Sequence, residues 1–279
     1  MTEIDPEVTA LCRFHGATDP QWLIIWLCRQ LLDQIPTLAG PSPLRGLGSF
    51  RGVRQYHSRR IDPQVGCSGL LIPINGGYEI MVHSEEPSER QNFSIAHEIV
   101  HTFFREACPN PQPSPQEERL CDLGAAELVM PEARVAIHLG DEGLSFARLD
   151  HCRSEFEVSL EAAARRAVDL AEEALCFLIA TVASSPNQSE GDDQLALRVV
   201  RWWHSRNWRA RVDYEGQVIS LDSLAGQAFI NQDQRQGLAA LGITGYSNFY
   251  EIQARGYGYP LPGNSSYRQV VILMRDPAH

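Results

Sequence analysis

The segment His97-Glu98-Ile99-Val100-His101 constrains the fold more than any other part of the sequence. Apolar residues surround it and continue through it: Phe93, Ile95, Ala96, Ile99, Val100, Phe103 and Phe104. This pattern predicts a buried helix that begins near Gln91 or Ser94 and ends near Glu106. Residues four apart on a helix lie about 40° apart around its axis, so both histidines project from one face. Buried polar side chains need partners, and a metal ion shared by the two imidazoles supplies one.

Glu98 is the candidate catalytic base. It points about 100° away from His97 around the helix axis, where it can reach a metal-bound water but is badly placed as a ligand. A zinc ion lowers the pKa of its bound water to about 7. Glu98 would take the proton as that water attacks a peptide carbonyl, and would then pass it to the leaving amine. The motif therefore predicts peptide-bond hydrolysis.

A catalytic zinc site needs a third protein ligand. The metzincin pattern, which supplies a third histidine from the same segment, is excluded because Ala107 stands at its position. A second helix is predicted from Glu117 to Met130, and within it Glu118 and Asp122 share one face. This favours Glu118 as the ligand and Asp122 as the acceptor of a ring N–H from a ligand histidine. Glu117 stays an alternative ligand.

Two strands precede the motif helix. Gly69–Ile74 and Gly77–His83, separated by Asn75 and Gly76, predict a β-hairpin. As an edge strand, the second of them could hold an extended substrate by backbone pairing, although it could equally be a core strand. Tyr78 and His83 are candidates for stabilising an oxyanion.

The rest of the chain predicts further helices and strands. We expect a helix over residues 20–36, a helical region over 156–178, and a short helix over 224–229 that begins after Asp222 or Ser223. Strands are predicted over 195–203, 209–219 and 269–274. Loops are predicted over 36–52, 108–116 and 184–194.

Composition limits the class of protein. The chain has 279 residues and a formal net charge of −11, which argues against a protein that coats nucleic acid or anionic membranes. Its seven cysteines form no Cys-x-x-Cys pair, which favours reduced thiols. The N-terminal segment lacks the apolar core of a signal peptide, and no apolar stretch approaches the roughly 20 residues of a membrane helix. We expect a soluble, cytoplasmic protein.

Residues 198–211 contain five arginines and three tryptophans. Arginine interleaved with aromatic residues can bind single-stranded nucleic acid, but the alternation here also fits a β-strand, which we prefer. In the helical region 156–178, Arg165 and Arg166 are offset by acidic neighbours. Direct nucleic-acid binding is therefore not expected.

Two blocks of sequence resemble the ImmA/IrrE metallopeptidases. They are Arg90-Gln-Asn-Phe-Ser-Ile-Ala-His-Glu-Ile-Val-His101 and Glu118-x-x-Cys-Asp-x-x-Ala-Ala-Glu-Leu-Val-Met-Pro131, within about residues 69–135. The departures from the family pattern are Ser94 for Thr, Val100 where Gly is common, Gly124 where Phe is common, and Val129 for Leu. The resemblance implies the metal ligands His97, His101 and Glu118, the general base Glu98, and Zn²⁺ or Mn²⁺ as cofactor.

The resemblance also implies an α+β architecture in three parts. These are a minimal zincin-like peptidase domain over residues 1–145, a helical region like a helix-turn-helix over 146–178, and an α/β GAF-like sensor domain over 179–279. Substrates in this family are typically helix-turn-helix repressors of the Xre type, which are cut to derepress stress-response or mobile-element genes. We expect a regulatory zinc endopeptidase of this kind, with a small-molecule signal acting at the C-terminal domain. The alternative is a non-catalytic metal-binding sensor or adaptor, against which the intact Glu98 and Asp122 argue.

Overall fold

The structure is a computed structural model of the chain, and it describes residues 5–35, 43–62, 66–109, 113–139, 143–183, 196–209, 213–243, 248–260 and 266–276. The chain divides into two compact units: Met1–Val135 with Ser154–Ser159, and Ala136–Arg153 with Leu160–His279. Helices and strands occur in both units, which confirms the predicted mixed fold. None of the described helices has the length and apolar character that crossing a bilayer requires.

The described helices are α1 (Pro6–His15), α2 (Pro20–Leu32), α3 (Pro43–Phe50), α4 (Ser88–Ala107), α5 (Pro115–Val129), α6 (Glu132–Leu139), α7 (Phe146–Phe156), α8 (Leu160–Leu170) and α9 (Leu224–Asn231). The described strands are β1 (Val53–Arg59), β2 (Gly69–Ile74), β3 (Gly77–His83), β4 (Leu175–Ala183), β5 (Ala196–His204), β6 (Val218–Ile219), β7 (Gln234–Ala240), β8 (Phe249–Pro260) and β9 (Ser266–Arg275).

Helices α4 and α5 form the centre of the first unit, and their starting points follow from capping. Ser114 accepts a hydrogen bond from the backbone N–H of Glu117 at 3.1 Å, which caps α5. Helix α2, which packs against α5, begins after Asp19, whose carboxylate accepts from the N–H groups of Gln21 and Trp22. Both helices have proline at their start, where its missing N–H costs nothing. Helix α4 is longer than predicted, because it already begins at Ser88.

A three-stranded sheet lies beside α4, in the order β1-β3-β2. The predicted hairpin is confirmed: β2 and β3 are antiparallel, and Gly76 has the φ of +82° that glycine adopts readily in a turn. Strand β1 pairs with β3 in parallel. The expectation that Gly77–His83 could be an edge strand is therefore wrong, because β3 is paired on both sides. The edge strand that packs against α4 is β2.

The predicted loop over residues 36–52 contains a helix, α3. Leu44 and Leu47 are buried on one side of it, and the hydroxyl of Tyr56 donates to the carbonyl of Arg45 at 3.2 Å. An added side chain at Gly48 would meet the Tyr56 ring, so this glycine allows a close approach of β1. Tertiary packing thus outweighs the low helix propensity of the segment. Residues 36–42 lie outside the described part of the chain.

The predicted helical region over residues 156–178 contains less helix than expected. Helix α7 ends at Phe156, the next residue has a φ of +51°, and α8 covers only Leu160–Leu170. Residues 175–178 begin strand β4 instead, because their side chains are buried on both faces of a sheet. An apolar run of this length suits either a helix or a buried strand, and periodicity alone does not separate them.

The second unit contains a six-stranded sheet in the order β6-β5-β4-β9-β8-β7, and every pair of neighbours is antiparallel. Helix α9 packs against β7, β8 and β9, while α8 packs against β4 and β5. The predicted strands over 195–203 and 269–274 and the short helix over 224–229 are confirmed as parts of β5, β9 and α9, and Ser223 caps that helix. Of the strand predicted over 209–219, only β6 forms among the described residues. The predicted loop over 184–194 lies outside them.

Candidate metal centre

Three predicted ligand side chains converge between α4 and α5. The Nε2 atom of His97 lies 3.2 Å from the Nε2 atom of His101 and 3.1 Å from Oε2 of Glu118. The second oxygen of Glu118, Oε1, lies 3.5 Å from Nε2 of His101. The structure thus brings together one nitrogen from each histidine and one carboxylate, all directed at a common point.

Two further carboxylates contact the opposite side of the imidazole rings. Oδ1 of Asp122 lies 3.0 Å from Nδ1 of His97, which is the position predicted for an acceptor of a ring N–H. Oε1 of Glu117 lies 2.6 Å from Nδ1 of His101. The alternative ligand Glu117 therefore faces the nitrogen of His101 that points away from the common point.

The position of Glu117 is a feature that sequence reasoning missed. Its side chain is completely buried and forms an ion pair with Arg105, which follows His101 by one helical turn. An arginine at that spacing was the available signal, since a buried carboxylate needs a cationic partner. An acidic residue in the first turn of a helix is otherwise explained by the helix dipole alone.

Glu98 is buried between α4 and the edge strand β2, with 7% of its surface exposed. A Cβ atom at Gly69 would lie 2.9 Å from Oε1 of Glu98, so the glycine leaves the space that this carboxylate occupies. Burial raises the pKa of Glu98, whereas the nearby His101 and His97 and a hydrogen bond to the backbone of Leu71 lower it in part. A carboxylate with a raised pKa is the stronger proton acceptor that general-base catalysis requires.

The ionisation of His97 and Glu118 is coupled. Burial disfavours the charged imidazolium, but hydrogen bonds to Asp122 and Glu118 outweigh it and raise the pKa of His97 to about 9. The hydrogen bond from His97 in turn lowers the pKa of Glu118. In the metal-free protein, a proton on His97 thus compensates part of the negative charge that a cation would otherwise neutralise.

Two cysteines near the converging side chains, Cys121 and Cys67, were not predicted to be site residues. Sγ of Cys121 lies 3.4 Å from Nδ1 of His101, and with His97 and His101 it forms a group whose potential ligand atoms lie within 4.8 Å of one another. Burial raises the pKa of Cys121 well above its ordinary value, so this residue is a thiol in the metal-free protein. Cys67 is exposed and precedes β2; partial burial and the charge of Glu98 raise the pKa of its thiol.

The candidate oxyanion stabilisers lie on β3, the central strand of the small sheet. Tyr78 pairs with Pro73 of β2 and with Val53 of β1. The ring of His83 accepts a hydrogen bond from the backbone N–H of Glu85 at 3.2 Å.

The donor set fits a catalytic zinc ion. Two imidazole nitrogens and one carboxylate are a known ligand combination for zinc that leaves a fourth position open for water. The carboxylates on the far ring nitrogens fix the tautomer in which Nε2 is free to bind a cation. A purely structural zinc site would have four protein ligands and no need for a buried glutamate beside them.

Comparisons with known proteins bear on the family and the fold of the chain. No curated protein matches the sequence. A solved structure described as a Mycobacterium tuberculosis transcriptional regulator is similar in fold, with a TM-score of 0.57 and 10% sequence identity over 99% of this chain and 83% of that one. The family model of the IrrE N-terminal-like domain, peptidase M78, matches residues 52–168, which include all the converging side chains. This match confirms the resemblance that the two sequence blocks predicted for this part of the chain.

Proposed function

We propose that this chain is a regulatory metallo-endopeptidase that uses His97, His101 and Glu118 to hold a zinc ion and Glu98 as general base. The observation that carries this proposal is the convergence of the two histidine Nε2 atoms, 3.2 Å apart, on the Glu118 carboxylate, whose two oxygens lie 3.1 and 3.5 Å from them, with a buried glutamate on the same helix as the histidines. Manganese is the alternative metal. When bound, the ion lowers the pKa of the attacking water and polarises the scissile carbonyl.

Glu98 moves the proton in the proposed reaction. Its carboxylate takes the proton from the attacking water and delivers it to the leaving amine, so one residue is first a base and then an acid. Burial raises the pKa of Glu98, which makes its carboxylate a stronger acceptor for the proton of the attacking water. Asp122 and Glu117 hold the two imidazole rings in place through their Nδ1 atoms.

The edge strand β2 is the proposed binding surface for the substrate backbone. It pairs with β3 on one side only, it packs against α4, and the backbone of its residue Leu71 hydrogen-bonds to Glu98. An extended peptide can add to such an edge through main-chain hydrogen bonds, whereas a folded helix cannot. The enzyme would therefore cut within a flexible or locally unfolded segment of its substrate.

We propose an Xre-type helix-turn-helix repressor as the substrate, cut to derepress stress-response or mobile-element genes. The net charge of −11 supports this choice, because it attracts a basic DNA-binding protein while keeping the enzyme off DNA. The protein of similar fold from Mycobacterium tuberculosis is a transcriptional regulator, which supports a role in transcription. Such a substrate places the enzyme in the cytoplasm.

The C-terminal part is proposed to regulate the peptidase. We assign the helix-turn-helix-like region to residues 146–178 and a GAF-like sensor domain to 179–279, which would bind a small-molecule signal. The support is a six-stranded antiparallel sheet with helices packed against it, which hydrolysis at α4 and α5 does not require.

The test is incubation of the purified chain, loaded with Zn²⁺ or Mn²⁺, with an Xre-type repressor from the same genome, followed by intact-mass measurement. We expect one cut, and none with Glu98→Gln at unchanged metal content. If casein is cut but the repressor is not, the substrate assignment is wrong and the peptidase assignment stands. If metal binds and neither protein is cut, the chain is the metal-binding sensor or adaptor instead.

A further inference from the structure

We infer that Glu117 and Arg105 form a buried ion pair that positions His101 for metal binding, and that this pair contributes more to metal affinity than the exposed Asp122 does. The inference rests on the proposed metal site. It concerns positioning residues, since neither side chain is directed at the point where the three proposed ligands meet.

Glu117 holds His101 from the side opposite the proposed metal. Its Oε1 atom lies 2.6 Å from Nδ1 of His101, and its side chain has no exposed surface. An N–H on Nδ1 donates to this oxygen, which leaves Nε2 as the lone-pair nitrogen that a metal needs. The same imidazole is itself only 7% exposed, so water does not compete for this hydrogen bond.

Arg105 compensates the charge of the buried Glu117 carboxylate. Its Nη2 donates to the same oxygen, Oε1, that contacts His101, and its side chain is 14% exposed. A buried carboxylate without a cation would take up a proton and become a poorer acceptor. Glu117 also lies in the first turn of α5, where the helix dipole favours negative charge. Both Arg105 and the dipole of α5 thus stabilise the negative charge of Glu117.

The pair has unused hydrogen-bonding capacity. Among the described residues, neither Oε2 of Glu117 nor Nη1 of Arg105 has a hydrogen-bond partner, although both atoms are buried. Two unsatisfied charged atoms are costly in a protein interior. Positioning of the His101 ring explains why the ion pair is present despite this free-energy cost.

Asp122 provides the matched comparison. It contacts Nδ1 of His97 at 3.0 Å, an equivalent interaction on the other histidine, but its side chain is 62% exposed. Water competes for exposed hydrogen bonds and screens exposed charges, so pairs of this kind contribute little. Each histidine therefore has one carboxylate on its far nitrogen, and only that of His101 is buried and paired with an arginine.

The experiment measures zinc affinity of Glu117→Gln and Asp122→Asn by competition with a fluorescent chelator, alongside the thermal midpoint of each metal-free protein. Each variant replaces a carboxylate by an amide of the same size. We expect Glu117→Gln to weaken zinc binding about 10- to 100-fold. Asp122→Asn should change zinc affinity by less than about fivefold in either direction.

A spectroscopic measurement separates positioning from general stability. In the zinc-loaded protein, long-range ¹H–¹⁵N correlation spectra should show the proton of His101 on Nδ1, and its signal should shift in Glu117→Gln but not in Asp122→Asn. Arg105→Met should weaken zinc binding as Glu117→Gln does, and Arg105→Lys, which keeps the charge, should restore part of the loss. These Arg105 variants decide the question if Glu117→Gln fails to fold.

Equal zinc affinity for wild type and Glu117→Gln, or a larger loss in Asp122→Asn, overturns the inference while the proposed metal site stands. A wild-type protein that binds no zinc overturns the proposed function as well. Because zinc affinity is measured without substrate, these results do not depend on whether any protein is cut.

Discussion

Val100 of α4 lies directly against Gly124 of α5: a Cβ atom at position 124 would come within 2.8 Å of Cγ2 of Val100. It would also lie 2.9 Å from Cγ2 of Ile24 on α2. These two positions depart from the ImmA/IrrE pattern in opposite directions, with a larger residue at 100 and a smaller one at 124. The volume lost on α5 is thus occupied by a side chain of α4, beside the proposed ligand His101.

This exchange of volume predicts non-additive mutations. Gly124→Ala should destabilise the protein, because crowding in a packed core costs about 1–3 kcal/mol, more than the roughly 1 kcal/mol that alanine gains over glycine in a helix. Val100→Ala should also destabilise it by leaving a cavity. In the double variant the new methyl group should occupy that cavity, so the measured loss should be smaller than the sum by about 0.5 kcal/mol or more. Urea denaturation of the metal-free proteins measures this, and strict additivity would show that the two residues do not compete for the same space.

Much of the candidate site could be predicted because local spacing determines it. A spacing of four residues places His97 with His101, and Glu118 with Asp122, on single helix faces, and the structure brings both pairs together. No distant contact is needed for this inference. The Asn75-Gly76 turn predicted the β-hairpin for the same reason.

Features that depend on distant contacts could not be predicted. Strand β1 makes β3 a central strand by parallel pairing, but its own sequence, Val53-Arg-Gln-Tyr-His-Ser-Arg59, is largely polar. Helix α3 contains two glycines and forms because its leucines are buried. The buried contact of Glu117 with His101 joins two helices and is invisible in either one alone.

Gly69 should be required for the position of Glu98. Gly69→Ala adds a methyl group 2.9 Å from Oε1 and 3.2 Å from Cγ of Glu98, so this carboxylate must move. A displacement of about 1 Å can cost up to about 100-fold in rate, and we expect a loss of at least tenfold in cleavage of labelled casein. Metal content should not change, since Glu98 is not a proposed ligand. Gly237→Ala in β7, whose added methyl group would be in ordinary contact with Leu224, is the matched control and should keep full activity. Normal activity in Gly69→Ala would mean that Glu98 does not need this space.

Metal affinity should depend strongly on pH. The pKa of His97 in the metal-free protein is about 9, above the ordinary value of about 6.5 for histidine, and a metal binds only the neutral imidazole. Below pH 9 the metal must displace this proton, so zinc affinity should rise about tenfold per pH unit and level off near pH 9. Isothermal titration calorimetry between pH 6.5 and 9.5 measures this rise and the released proton.

The raised pKa of His97 also predicts how the stability of the metal-free protein depends on pH. Because the folded-state pKa of His97 is raised, its stabilising contribution is complete below pH 6.5 and is lost as the pH rises through about 9. Asp122→Asn removes one of the two hydrogen bonds that raise this pKa, and should move both pH dependences to lower pH. A zinc affinity that does not vary with pH would show that His97 is already neutral.

The rate of casein hydrolysis by wild type and by Glu98→Gln, at equal zinc content determined by elemental analysis, tests the central claim most directly. Glu98 is assigned to the proton transfers and not to metal binding, and general acid–base catalysis contributes about 10²- to 10⁴-fold. We therefore predict a fully zinc-loaded Glu98→Gln variant whose rate is lower by at least about 100-fold. A variant that binds the same amount of zinc and hydrolyses casein at the wild-type rate would contradict the assignment of Glu98 as the catalytic base.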